Sequence, residues 1–104
     1  MADPNVEKKK IRHLKKLTGG EGIRIFADTA THAISAVVIV PREDTVIEAL
    51  SIDNTALVLG AANADSDWNI ASVTLKSTDI LTCGEDSLFT SIKLTSGSVI
   101  VYND

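Results

Sequence analysis

The sequence has little that could crosslink or staple a small domain. In 104 residues it contains one cysteine, two prolines and four large aromatic residues. Cys83 alone cannot form an intramolecular disulfide, and no Cys/His set has the spacing of a structural zinc site. A domain of this size removes only about 60–65% of its unfolded surface from water, so its stability alone should be modest. We therefore expect association with other copies to supplement it.

Long hydrophobic runs are also missing. The longest, Ala36 to Val40, has the length of a buried strand, whereas crossing a bilayer takes about 20 apolar residues. The N-terminus is charged and no apolar stretch follows it, so no secretory signal is expected. The sequence predicts a soluble protein without a membrane partner.

Charge is divided unequally along the chain. Residues 1–16 hold six lysines and arginines against two acids, whereas residues 17–104 hold four against twelve. Opposite charges on an arm and a body favour contact between the arm and a neighbouring protein. The acidic body disfavours nucleic acid as a partner.

The first 20 residues are interpreted as a basic arm, partly helical, preceding the body at 21–104. Asp3-Pro4 is typical of a helix start and Gly19-Gly20 of a helix end. Within the arm, three apolar side chains form a narrow stripe among basic ones. This pattern predicts that the arm docks on another protein. These docking residues are Lys8, Lys9, Lys10, Ile11, Arg12, Leu14, Lys15, Lys16 and Leu17. A solvated charged helix is the alternative, and the arm lacks the aromatic residues expected for nucleic acid or lipid contact.

From Gly22 onwards hydrophobic residues follow period 2, which indicates β-strands. Turn residues separate the runs, and alternating βα units are missing. The expected fold is all-β, a small antiparallel β-barrel or sandwich of seven to eight short strands. The predicted strands cover 23–27, 33–40, 46–52, 57–59, 71–75, 80–83, 88–94 and 99–102.

The longest polar loop, 63–69, has oxygen-bearing side chains at every second position, as a calcium loop does. Trp68 stands where such a loop needs glycine, and the bidentate Glu is missing, so a solvated connection is favoured. Asp65, Asp67 and Trp68 remain candidates for a recognition loop, although filling the core is the default role for Trp68.

No combination of acid, base and nucleophile indicates catalysis. His13 and His32 have no second histidine at ligand spacing and no evident carboxylate partner, and Cys83 has no activating neighbour. We therefore expect a protein that is not an enzyme and has no metal or cofactor.

The C-terminal third carries a resemblance. LKSTDIL at 75–81 and FTSIKLTSGSVIVY at 89–102 resemble small β-rich virion proteins of tailed bacteriophages, which serve as capsid-decoration, head-fibre or tail-accessory subunits. The resemblance implies a virion location and assembly, commonly as a trimer, with a capsid or tail protein as partner. The basic arm has no match in that family.

Three functions follow as expectations. The leading one is an oligomeric virion structural protein attached through its arm. The alternative is a displayed carbohydrate- or receptor-binding module using loop 63–69. A cupin-like enzyme is disfavoured because the histidine cluster is missing.

Overall fold

A computed structural model describes residues 22–104, which form an all-β structure with no helix in that range. The predicted arm, including its helix and its docking residues, lies outside the described residues and stays a prediction. The seven strands are β1 Ile23–Phe26, β2 His32–Pro41, β3 Val46–Ile52, β4 Thr55–Ala56, β5 Leu81–Thr82, β6 Phe89–Ser96 and β7 Val99–Asn103. The all-β prediction is therefore confirmed for this part of the chain.

All seven strands belong to one antiparallel sheet in the order β1-β7-β2-β6-β3-β4, with β5 pairing separately with β2. This sheet is not closed into a barrel, so the barrel form of the prediction is wrong. β1 and β4 stand at the two ends of the order instead of pairing with each other.

The long strand β2 joins two parts of the sheet. Its first half, from His32 to Ala36, pairs with β6, whereas its second half pairs with β7 and β5. The register shifts between Ala36 and Val38 where the partners change, and such an irregularity bends a strand. As predicted, β2 ends at Pro41, because proline has no N–H to continue a ladder.

One hydrophobic core lies between the two parts. β3 and β6 contribute Ile47, Leu50, Phe89, Ile92 and Leu94, and the other part contributes Phe26, Ile39, Leu81, Val99 and Val101. On β7 the core residues Val99 and Val101 alternate with residues of the opposite face, as the period-2 pattern predicts. On β3 and β6 the alternation is interrupted, because the register of this pair shifts and the core residues Ile47 and Leu50 are three residues apart.

Two predicted strands are absent at their expected positions. Residues 57–59 follow β4, which itself covers only Thr55–Ala56. Residues 71–75 alternate in hydrophobicity, but only Leu75 pairs, in an isolated bridge with Thr45. A period-2 pattern records burial of every second side chain, and a loop lying on the core can show it as well as a strand.

Candidate interaction surface

A row of large aliphatic side chains is exposed on strand β1 and beside β5. Ile23 and Ile25 on β1 are 48% and 53% exposed, and Ile80, just before β5, is 59% exposed. Ile23 and Ile25 share one face because they are two residues apart on a strand. Phe26 points to the other face and is buried in the core.

The sheet register extends this row across three neighbouring strands. Ile25 lies opposite Ile100 of β7, which lies opposite Val40 of β2. Ile23 similarly lies opposite Tyr102, which lies opposite Val38. Two apolar rows therefore cross from β1 to β2. Ile80 directly precedes β5, whose Leu81 pairs with Ile39 of β2, the neighbour of Val40. Val38 ends the second row and is buried, at 4% exposure. We call the remaining set the outer face, in which three residues are exposed and three are partly buried: Ile23, Ile25 and Ile80, then Val40, Ile100 and Tyr102.

The outer face borders the point where the N-terminal segment joins the body. The backbone N–H of Asn103 donates to the carbonyl of Gly22 at 3.1 Å, which continues the contact between β1 and β7 to the first described residue. Gly22 has φ +101°, a conformation that favours glycine. Residues 1–21 therefore connect to the body at one edge of the outer face.

Loop 63–69, the second sequence candidate, is held by hydrogen bonds at its base and inside. The N–H of Gly60 donates to Trp68 O at 2.8 Å, and the N–H of Ala71 donates to Gly60 O at 2.9 Å. Within the loop, Ser66 Oγ donates to Asn69 Oδ1, and Asn69 Nδ2 donates to Ala64 O at 2.7 Å. A Cβ at position 60 would collide with the Ser66 side chain, which explains the glycine.

The three loop residues singled out from sequence do not share one exposed surface. Trp68 is partly buried and packs edge-on against Phe89, with ring centroids 6.1 Å apart. Asp65 and Asp67 are exposed. Trp68 thus fixes the loop to the core, the default role expected for it, and leaves the two carboxylates facing solvent.

A polar cluster beside β1 was missed by the sequence analysis, which found no carboxylate partner for His32. His32 Nε2 lies 2.7 Å from Asp28 Oδ1, and the same oxygen accepts the N–H of Ala30 at 3.1 Å. The His32 ring stacks on Phe26 at 4.0 Å between centroids, and the Arg24 guanidinium lies 4.8 Å from the Phe26 centroid. The Asp-x-x-x-His spacing across a tight turn was the available signal.

Hydrogen bonds to the Asp28 carboxylate favour its ionised form. The bond with His32, followed by that from the Ala30 N–H, holds the pKa of Asp28 below its ordinary value of 3.8. The cluster joins the β1–β2 turn to both strands. The His32 ring and the Ala30 N–H both bond to the Asp28 carboxylate, and these contacts hold the turn in place.

Cys83 is half-buried and donates its S–H to Ser87 O at 3.3 Å. Burial raises the pKa of the Cys83 thiol, which keeps it protonated and a poor nucleophile at neutral pH.

Within 22–104, no three His, Cys, Asp or Glu side chains are grouped closely enough to hold a metal ion. The same range contains no helix with the length and hydrophobicity needed to span a bilayer.

Comparison with known proteins adds no identification, since neither a protein-family model nor a curated sequence nor a solved structure matches this chain.

Proposed function

We propose that this protein is a non-enzymatic structural component of a tailed-phage virion, a capsid-decoration, head-fibre or tail-accessory subunit. In this proposal the body forms a homo-oligomer, with a trimer favoured, and residues 1–20 dock on a neighbouring protein of the particle. The observation that carries the proposal is the outer face, where Ile23, Ile25 and Ile80 are each about half exposed. Ile23 and Ile25 are neighbours on one face of β1, and the partly buried Ile100 and Val40 lie between them and Ile80. Exposed apolar side chains on one surface favour burial against another protein.

Charge supports the role of the N-terminal segment. Residues 22–104 contain four basic and eleven acidic side chains, whereas most of the lysines precede residue 17. Such a segment is attracted to an acidic protein surface and increases the rate of encounter with it. Its three apolar side chains would supply short-range contacts once it is bound.

The particle itself provides the test. The full chain, a form lacking residues 1–20, and a full-length form with Lys8, Lys9, Lys10, Lys15 and Lys16 changed to Gln would each be added to particles that lack this protein. We expect the full chain to sediment with the particles and the truncated form to remain in the supernatant. The glutamine form should bind more weakly by at least about tenfold at low salt, since it loses five charges. Equal binding by all three forms, or none by the full chain, would contradict the proposal.

Loop 63–69 supports a second candidate, a displayed glycan- or receptor-binding module. Its internal hydrogen bonds fix the loop before any ligand arrives, which lowers the entropy cost of binding. Binding on a glycan array that is lost in Asp65→Ala and kept in Glu85→Ala, an exposed acid elsewhere, would favour this function. An array without signal for the full chain would remove it.

A further inference from the structure

We propose that the outer face of one copy receives the N-terminal segment, residues 4–17, of a second copy of this chain. The inference rests on the proposed function and deepens it, because it names the neighbouring protein and the surface on which the segment docks. It is carried by three properties of the described residues: the shape of the face, the position of the first described residue and the charge of the body.

The size of the outer face suits a helix that lies across the strands. From β1 through β7 and β2 to the position of β5 there are three strand spacings, about 14 Å in total. The two apolar rows are about 7 Å apart, since they are separated by two residues along each strand. A helix about 10 Å in diameter covers both rows.

The apolar stripe predicted for the segment has a matching length. Ile11 and Leu17 are six residues apart, which is about 9 Å along a helix, and Leu14 lies between them. Three side chains over that distance can contact Ile25, Ile100 and Val40 in one row. The lysines on both sides of the stripe then reach the rim of the face, where Asp79 stands exposed next to Ile80.

Charge favours a second copy as the source of the segment. Each described body carries an excess of seven acidic side chains, so bodies brought together without a bridge repel one another. A basic segment from one body lying on the next offsets this repulsion and buries the exposed isoleucines in the same contact. Exchange of an identical segment between copies is a low-cost route to an oligomer, because each copy both gives and receives.

The chain also leaves the body in a suitable place. Gly22 continues β1 at the edge of the outer face, and Thr18 to Gly22 can span at most about 17 Å. A segment that starts there can reach a body packed beside β1, which is the end strand of the described sheet.

Disulfide trapping tests this contact in full-length protein. Two versions that both carry Cys83→Ser are co-expressed, one with Leu14→Cys and a size tag, the other with Ile25→Cys. A disulfide requires the two Cα atoms to come within about 7 Å, so mild oxidation reports contact. The matched control replaces Ile25→Cys by Val58→Cys, since Val58 is an 85% exposed aliphatic residue that follows β4 at the other end of the sheet.

The expected result is a mixed dimer, a disulfide-linked dimer of one tagged and one untagged chain. Its yield should be at least about tenfold higher with the cysteine at position 25 than with the cysteine at position 58. A tenfold ratio corresponds to about 1.4 kcal/mol in favour of the contact at position 25. Equal yields at the two positions, or no mixed dimer, would overturn the inference. A further variant carries both Leu14→Cys and Ile25→Cys in one chain. If this variant forms only an intramolecular disulfide on dilution, the inference is also overturned, because the face is then covered by the segment of the same chain.

Particle sedimentation separates this inference from the proposed function. A chain that binds particles without a mixed dimer disproves only the exchange between copies. A chain that forms the mixed dimer and never sediments with particles disproves the virion role and retains the exchange.

Discussion

Thr45 is a residue whose buried hydroxyl connects two turns. Its Oγ1 lies 2.9 Å from Glu43 O and 3.0 Å from Ser98 O, and it accepts the N–H of Ser98 at 3.2 Å. In Thr45→Val the Ser98 N–H loses its partner in a buried site, so we expect a loss of about 1–3 kcal/mol in the free energy of unfolding. Urea denaturation measures it, with the exposed Thr55→Val as a control expected within about 0.5 kcal/mol of the native protein. Equal effects at the two positions would show that the Thr45 hydroxyl contributes nothing specific.

Asp28 gives the molecule a pH-dependent contact. Because its pKa is lowered in the folded protein, the carboxylate stabilises the fold above the ordinary value of 3.8, and this contribution disappears as the pH falls through the folded pKa. In Asp28→Asn the free energy of unfolding should therefore fall below that of the native protein at about pH 5, and the difference should shrink at lower pH. Unfolding curves from about pH 5 to pH 2 test this. A constant difference over that range would rule out the carboxylate as its cause.

The turn between β6 and β7 packs closely against Asp44 and Thr45. Gly97 has φ +90°, and a Cβ there would lie 2.5 Å from Asp44 O and 2.7 Å from Thr45 Cα. Gly84 shares the conformation, at φ +78°, but has nothing within 4 Å of the same position. Gly84→Ala should cost about 1–2 kcal/mol for the backbone alone, and Gly97→Ala should cost about 1–3 kcal/mol more for the collision. Thermal unfolding of the pair measures the difference, and equal losses would mean that the turn does not pack on Thr45 as described.

Strands with strong local signals were predictable from sequence. The β-branched run of β2 and the hairpin of β6 and β7 both lie near their predicted positions, because side-chain preference and turn residues agree there. The segment 71–75 shows the limit of such reasoning. Its side chains do alternate in burial, yet its only β-bridge joins Leu75 to Thr45. No sequence pattern specifies which backbone is available to pair.

The outer face was less predictable for the same reason. Alternation in Ile23 to Phe26 shows that β1 has two faces without showing which one meets the core. Burial of Phe26 places the isoleucines on the other side, where β7 and β2 bring further apolar residues beside them. The exposed surface is a product of pairing between strands distant in sequence.

For the molecule as a whole, size, charge and the exposed outer face lead to one account. A small body without a disulfide within residues 22–104 leaves isoleucines exposed, and a segment of opposite charge precedes it in the sequence. Assembly of several copies would bury the exposed surface and bring the opposite charges together. The proposed virion role would place this assembly on a particle.

The molar mass of the full-length protein in dilute solution tests the central claim of self-assembly most directly. Sedimentation equilibrium at concentrations from about 1 to 100 μM should give an oligomer, a trimer being favoured, that dissociates towards the 11.1 kDa chain only at the lowest concentrations. Raising the salt should weaken it, because the contacts proposed for the basic segment are partly electrostatic. A mass of one chain at every concentration and salt would contradict the account.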